Sequence, residues 1–242
     1  MTIRLAFLIA LMGFTGGLMV ASFAGFREFI PGLLMGAWVT VQITVLAAIL
    51  AVVAAMAAGL AKLSRIRVLR WIANIYVEIF RGTSALVQLF WLYFVLPHFG
   101  ISLSAMTVAV VGLGLNVGAY GAEVVRGSIQ AVAKGQYEAA TALNMSRSLT
   151  MRRIIIPQAV AAMLPPWGNL FIELLKATAL VSLITITDLT FRAYQLNQVT
   201  LRTVEIFTLV LVVYLALSLV ITIGMRALER RVGADFGTGR VL

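Results

Sequence analysis

Cysteine is absent from the 242 residues, and histidine occurs once, at His98. The first absence excludes a disulfide framework, thiol catalysis and any cysteine-held metal. The second leaves too little imidazole for a metal or acid–base site, and nothing in the composition asks for a cofactor. Charge is scarce as well: Asp, Glu, Lys and Arg make up 12% of the chain, against about 25% in soluble domains. No G-x-x-x-x-G-K-[ST] segment occurs, so the chain has no recognisable phosphate-cradling loop. Gly112-x-Gly114 with Gly118 and Gly121 has the outline of a dinucleotide loop. No strand precedes it and it lies inside an apolar run, so close helix packing is the better reading.

What fills the chain instead is apolar: 62% of residues are hydrophobic, which places it in a bilayer. A formal charge of +10 would suit nucleic acid only if the basic residues shared an exposed face. They sit in short segments between apolar runs, so positive-inside topology explains the excess and no nucleic-acid partner is expected.

Taken in order, residues 5–24 come after Arg4 as an apolar stretch with small residues at its end. It reads either as a signal peptide or as an uncleaved extra span, and the spread of Gly13, Gly16 and Gly17 leans to the span. Residues 33–60 form the next span and end in Lys62, Arg65, Arg67 and Arg70 with no acid among them. Residues 71–96 return as one long span that exceeds the roughly 30 Å core, so tilt or an interfacial first turn is expected. Pro97 to Gly100 make an uncharged outer turn, and residues 106–125 go back in. Residues 154–186 are too long for one untilted span. Pro165 and Pro166 predict an interruption there, with an interfacial approach before them and a span over 167–186. Asp188, Arg192 and the polar run 195–203 form an outer segment, and 205–225 the last span.

The basic residues support this scheme. Four lie in the first inner loop, five in the second (Arg126, Lys134, Arg147, Arg152, Arg153) and four after the last span (Arg226, Arg230, Arg231, Arg240), against Arg27, Arg192 and Arg202 outside. Thirteen against three places the C-terminus in the cytoplasm. The chain therefore reads as an all-α, polytopic membrane protein. Its predicted organisation is an N-terminal span or signal peptide (1–28), a five-helix core (29–231) and a cytoplasmic tail (232–242).

The longest interruption, residues 119–157, carries the most specific signal. Residues 134–143 suit a helix of two to three turns lying across the membrane surface. Small alanines there let a partner backbone approach, and Glu138 is free to accept hydrogen bonds from a partner's cations. The chain must then turn, and Asn144 is the residue after Gly that best tolerates a left-handed cap. Ser146 is placed to cap a second helix beginning near Arg147.

Glu138-Ala139-Ala140, three residues, Asn144, nine residues and Ile154-x-Ile156-Pro157 resemble the EAA loop of the membrane subunits of bacterial ABC importers. In that pattern the Asn144 position is Gly. Glu78-Ile79-Phe80-Arg81-Gly82-Thr83 looks like the E-x-F-R-G-T segment of the polar amino-acid branch, with Ser84 and Ala85 where Pro and Leu are usual. Ala119-Tyr120, Glu123, Arg126-Gly127, Ile129-Gln130 and Val132 match the stretch before the loop in that branch. Pro157-Gln158-Ala159, Leu164-Pro165-Pro166 and Gly168-Asn169 match the stretch after it, and Ala177 replaces a frequent Asp after Leu174-Leu175-Lys176. The likeness runs over residues 36–231.

The resemblance implies a type I importer permease core that moves a polar amino acid or similar zwitterion across the bacterial inner membrane. It implies no catalysis by this chain. Its implied partners are two cytoplasmic ATPase subunits, a second permease chain (identical or paralogous), an outer solute-binding protein and the lipid bilayer. The coupling loop is at about 126–157, with Glu138, Ala139, Ala140 and Asn144 as the ATPase-coupling residues. The alternative is an ion-coupled secondary transporter or channel, which would need the intramembrane charges as ion sites.

Those charges come in three pairs spaced three apart: Glu78 with Arg81, Glu123 with Arg126 and Glu173 with Lys176. Each pair shares a helix face. Two readings stand: each pair neutralises its own burial, or together they form an inner gate. Asn116 and Tyr120, one turn apart near mid-span, either touch a substrate or, for Asn116, bond a neighbouring helix.

Overall fold

In the computed structural model of the chain, residues 28–235 are described; residues 5–24 and most of the expected tail lie outside them. Helix α1 spans Ile30–Lys62, α2 Arg67–Gly82 and α3 Ala85–Phe90. Helix α3 runs on through a π turn at Trp91–Val95 and a 3₁₀ turn at Leu96–Phe99. Helix α4 spans Ala105–Ala131, α5 Lys134–Ala142, α6 Arg147–Thr150 and α7 Ile156–Ala177. Helix α8 spans Leu189–Thr200 and α9 Thr203–Asp235. Among the described residues, four helical stretches are long and apolar enough to cross a bilayer, and α2 with α3 makes a fifth if the pair is one broken span.

Small residues set the core. Ala47, Ala51, Ala55 and Gly59 recur every fourth position on α1 and form one stripe, fully buried at the three alanines. That stripe meets the glycine-rich face of α4, where missing side chains let two backbones approach. At Gly59 a Cβ would stand 2.7 Å from that of Val125, and at Gly121 one would stand 2.6 Å from the Trp167 ring. Neither position has room for a methyl group. Helix α7 closes the other side of α4 with Trp167, Leu170 and Leu174, all buried.

Three expectations change. Residues 71–96 are not one continuous helix: α2 and α3 meet at 104° across Thr83 and Ser84. Both residues are extended (ψ 153° and 135°), so the helix cannot continue through them. Nor do Pro165 and Pro166 break the chain, since both lie inside α7. Two N–H donors are missing from its ladder, yet the chain stays helical through both prolines. The wider π turn at Met151–Ile155 sits where the ring of Pro157 would crowd the preceding turn. Finally, the outer polar segment is a helix, α8. Asp188 caps it by accepting from the Phe191 amide at 2.9 Å and the Thr190 amide at 3.2 Å. The hydroxyl of Thr40 on α1 accepts from Leu189 N at 3.2 Å, which ties α8 to the bundle.

Candidate functional site

The first site is the surface of α5. This short helix ends in a Schellman turn: Met145 N donates to Ala140 O at 3.0 Å and Asn144 N to Thr141 O at 3.0 Å. The turn needs a left-handed residue, and Asn144 supplies it at φ 51°. Ser146 then caps α6 by accepting from Leu149 N at 3.3 Å. Two caps back to back fix α5 relative to α6. Tyr137 fixes it to the bundle, donating its hydroxyl to Ile129 O at the end of α4.

The fixed orientation divides the motif. Glu138 and Ala139 point outward, joined by Leu143, which is 73% exposed. Ala140 is 1% exposed and seats the helix on the body. The outward face thus offers a free carboxylate, a small patch and one large apolar side chain. The sequence pattern puts Leu143 on one side of this helix with Ala139 and Ala140; the structure leaves Ala139 and Leu143 outward beside Glu138 and turns Ala140 inward.

The second site lies where the broken span meets α4. The break exposes the last carbonyls of α2, which need partners. Asn116 on α4 supplies one, its Nδ2 donating to Phe80 O at 3.0 Å and to Gln88 Oε1 at 3.1 Å. Gln88 returns to the same corner, donating to Thr83 Oγ1 at 2.6 Å and Phe80 O at 3.0 Å. Asn116 is therefore spent on joining helices, and only 9% of it is exposed. One turn further along α4, Tyr120 is 38% exposed. The Arg81 guanidinium lies 5.2 Å from its ring centroid, within cation–π range.

Below that pair, Glu123 binds two cations from two helices. One carboxylate oxygen takes Lys62 Nζ from the end of α1. The other takes Arg126 through Nε at 2.9 Å and a terminal nitrogen at 2.7 Å. Arg126 also donates to Gln130 at 2.7 Å. Lys62, Glu78, Arg81, Tyr120 and Glu123 line one cavity of about 460 Å³. Its wall is charged in both signs, which fits a zwitterion or a water-filled passage better than an apolar ligand.

Of the three spaced pairs, Glu123–Arg126 forms an ion pair, while Glu78–Arg81 and Glu173–Lys176 form none among the described residues. Arg81 turns to Tyr120 instead. Glu173 and Lys176 are exposed on α7, and Lys176 lines a separate groove with Phe207 and Tyr214. The structure gathers Glu78, Arg81, Glu123 and Arg126 and leaves the α7 pair apart. Lys62 and Gln88 went unnoticed in the sequence. Lys62 read as a loop cation, and Gln88 is the one amide in an otherwise apolar segment.

Residues 51–234 match the family model described as the binding-protein-dependent transport system inner membrane component. The chain is 46% identical over 212 residues to a probable amino-acid ABC transporter permease of Sinorhizobium fredii, covering 85% of this chain and 89% of that one. It is 36% identical over 211 residues to the L-cystine transport system permease of Bacillus subtilis, with 85% and 90% covered. Its fold superposes with a TM-score of 0.81 and 38% identity on the crystal structure of an amino acid ABC transporter with histidines, covering 87% of this chain and 98% of that one.

Proposed function

The chain belongs to the inner-membrane component family of binding-protein-dependent transport systems, and on that premise we propose that it carries a polar amino acid inward between two such chains. It is the membrane-embedded subunit of an ABC importer. The substrate class rests on relatives named for amino acids and cystine and on the two-signed cavity wall.

In this reading the transport unit is residues 29–231, the C-terminus is cytoplasmic and the membrane is the inner one, as the basic-loop bias supports. Two ATPase subunits each receive α5, a second permease chain completes the path, and a solute-binding protein delivers substrate from outside. Glu138, Ala139 and Leu143 form the contact, while Ala140 and Asn144 hold its shape. The chain itself catalyses nothing. ATP binding draws the two ATPases together, and α5 passes that motion to the bundle as a two-state element biased by both partners.

Glu78, Arg81, Glu123 and Arg126, with Lys62, act as the inner gate. Tyr120 flanks the path, and Asn116 holds the broken span that shapes it. The α7 pair, Glu173 and Lys176, has no place in this gate. The single observation that carries the reading is the doubly capped α5 presenting a free Glu138 at the spacing of the coupling motif.

Proteoliposomes holding the chain with its ATPase and binding protein test it directly. Uptake of a labelled polar amino acid is expected only with ATP on the side that carries the ATPases. Uptake by this chain alone, driven by an ion gradient without nucleotide, would establish the secondary transporter instead.

A further inference from the structure

Beside α5, which lines it with Tyr137 and Thr141, lies a second cavity of about 690 Å³. Leu60 and Leu63 from the end of α1 and Ile129 from the end of α4 give it an apolar floor. Arg65, from the connection after α1, and Arg147, at the start of α6, stand in its wall. No acidic residue lines it. Among the described residues, neither guanidinium pairs with a carboxylate.

Three of the four hydroxyls in the wall already donate, while Ser64 accepts from the Ile66 amide at 3.1 Å and Gln130 accepts from Arg126. Tyr137 donates to Ile129 O, Thr141 to Tyr137 O at 2.8 Å and Thr150 to Ser146 O at 3.0 Å. The two guanidiniums are the charged donors in this wall, arriving from two separate segments. Planar guanidinium forks match phosphate oxygens in pairs. Positive-inside topology accounts for basic residues at this end of the bundle, but it does not require a cavity with an apolar floor.

We propose that this cavity is a binding site for the head group of an anionic phospholipid. Arg65 and Arg147 hold the phosphodiester, and the glycerol and first acyl carbons rest on Leu60, Leu63 and Ile129. A free inorganic anion would use the guanidiniums but leave the floor uncovered. An acidic ATPase side chain would meet the guanidiniums but leave the apolar floor uncovered, and Glu138 and Leu143, the residues offered to the ATPase, do not line the cavity. Basic pockets between spans at this membrane face are suited to phosphate head groups. The bound lipid braces α5 against α1 and α4, so coupling depends on anionic lipid.

The test is lipid retention by the assembled transporter, taken from nanodiscs of mixed phosphatidylcholine and phosphatidylglycerol and weighed by native mass spectrometry. Wild type is expected to keep phosphatidylglycerol. The double variant Arg65→Gln/Arg147→Gln is expected to lose it severalfold, while Arg67→Gln/Arg70→Gln, outside the cavity, behaves as wild type. Thr141→Trp, which fills the cavity and keeps both charges, is expected to lose it too. Equal retention by wild type and both cavity variants would overturn the proposal. So would retention of inorganic phosphate in place of phosphatidylglycerol by wild type and not by the double variant, which would mark a free-anion site. Unchanged retention with weakened ATPase co-purification would assign the arginines to the ATPase. Retention is read without transport, so this result is independent of whether the substrate reading holds.

Discussion

Glu123 is the residue on which two helices and a cavity converge. It neutralises Lys62 from α1 and Arg126 from its own helix, both only partly exposed. Removing one member of such a group leaves the others desolvated without compensation. Glu123→Gln is expected to lower stability by about 1–3 kcal/mol, the cost of leaving a partly buried donor unmet. The double variant Glu123→Gln/Lys62→Met should recover part of that loss, because the stranded ammonium is gone. Thermal unfolding in detergent decides: a double variant that falls below the single one by the full cost of each change would mean the two residues are not coupled.

At this scale the sequence was partly readable. Spacing along one helix exposed the Glu123–Arg126 pair, because i and i+3 share a face whatever the tertiary fold. The same spacing in Glu78–Arg81 did not produce a pair, since Tyr120 of another helix offered Arg81 a ring. Lys62 was out of reach because its partner lies 61 residues away, and one sequence contains no record of such a contact.

Among the elements, α5 was legible to its ends, for its boundaries are written in local chemistry. Asn144 tolerates the left-handed turn and Ser146 caps the next helix. Asn144→Gly is expected to leave ATP-driven uptake near wild type. Asn144→Val, a β-branched residue in a left-handed site, should strain the turn by about 1–2 kcal/mol and weaken coupling. Uptake by the Val variant equal to wild type would show that the turn tolerates reshaping.

Helix α8 was missed because its cap lies in a polar run that reads equally well as a loop. Burial pushes the Asp188 carboxyl from 3.8 up to about 6, against the pull of the Phe191 and Thr190 amides. Tyr214 of α9 reaches Thr190 at 3.1 Å, Thr40 faces the site from α1, and Arg192 lies one turn along α8. The folded chain therefore binds more protons than the unfolded one between these values. Stability should fall as pH rises through that window and level off above about 6. Asp188→Asn keeps an acceptor for the Phe191 amide and should flatten the slope. Thermal unfolding across that range checks it, and parallel pH slopes for both proteins would contradict it.

Over the whole molecule, the apolar runs and basic loops made the helical bundle legible, because length and charge bias are properties of the chain alone. The broken span was not. Residues 71–96 are long and apolar enough for one helix, and the open corner at Thr83 and Ser84 is held by Asn116 from α4 together with the local bonds of Gln88 and Thr83. The proline pair misled in the opposite direction, since α7 stays helical through both despite two missing donors.

The proposed cycle rests on α5, capped at its end and tethered to the bundle through Tyr137. Glu138→Arg reverses the charge on its outward face without touching the caps, the Tyr137 tether or the buried Ala140. ATP-driven uptake by the reconstituted transporter, with membrane insertion of the variant verified, is the direct measurement. Coupling through α5 predicts lost uptake and weakened ATPase co-purification with normal insertion. Undiminished ATP-driven uptake would contradict it.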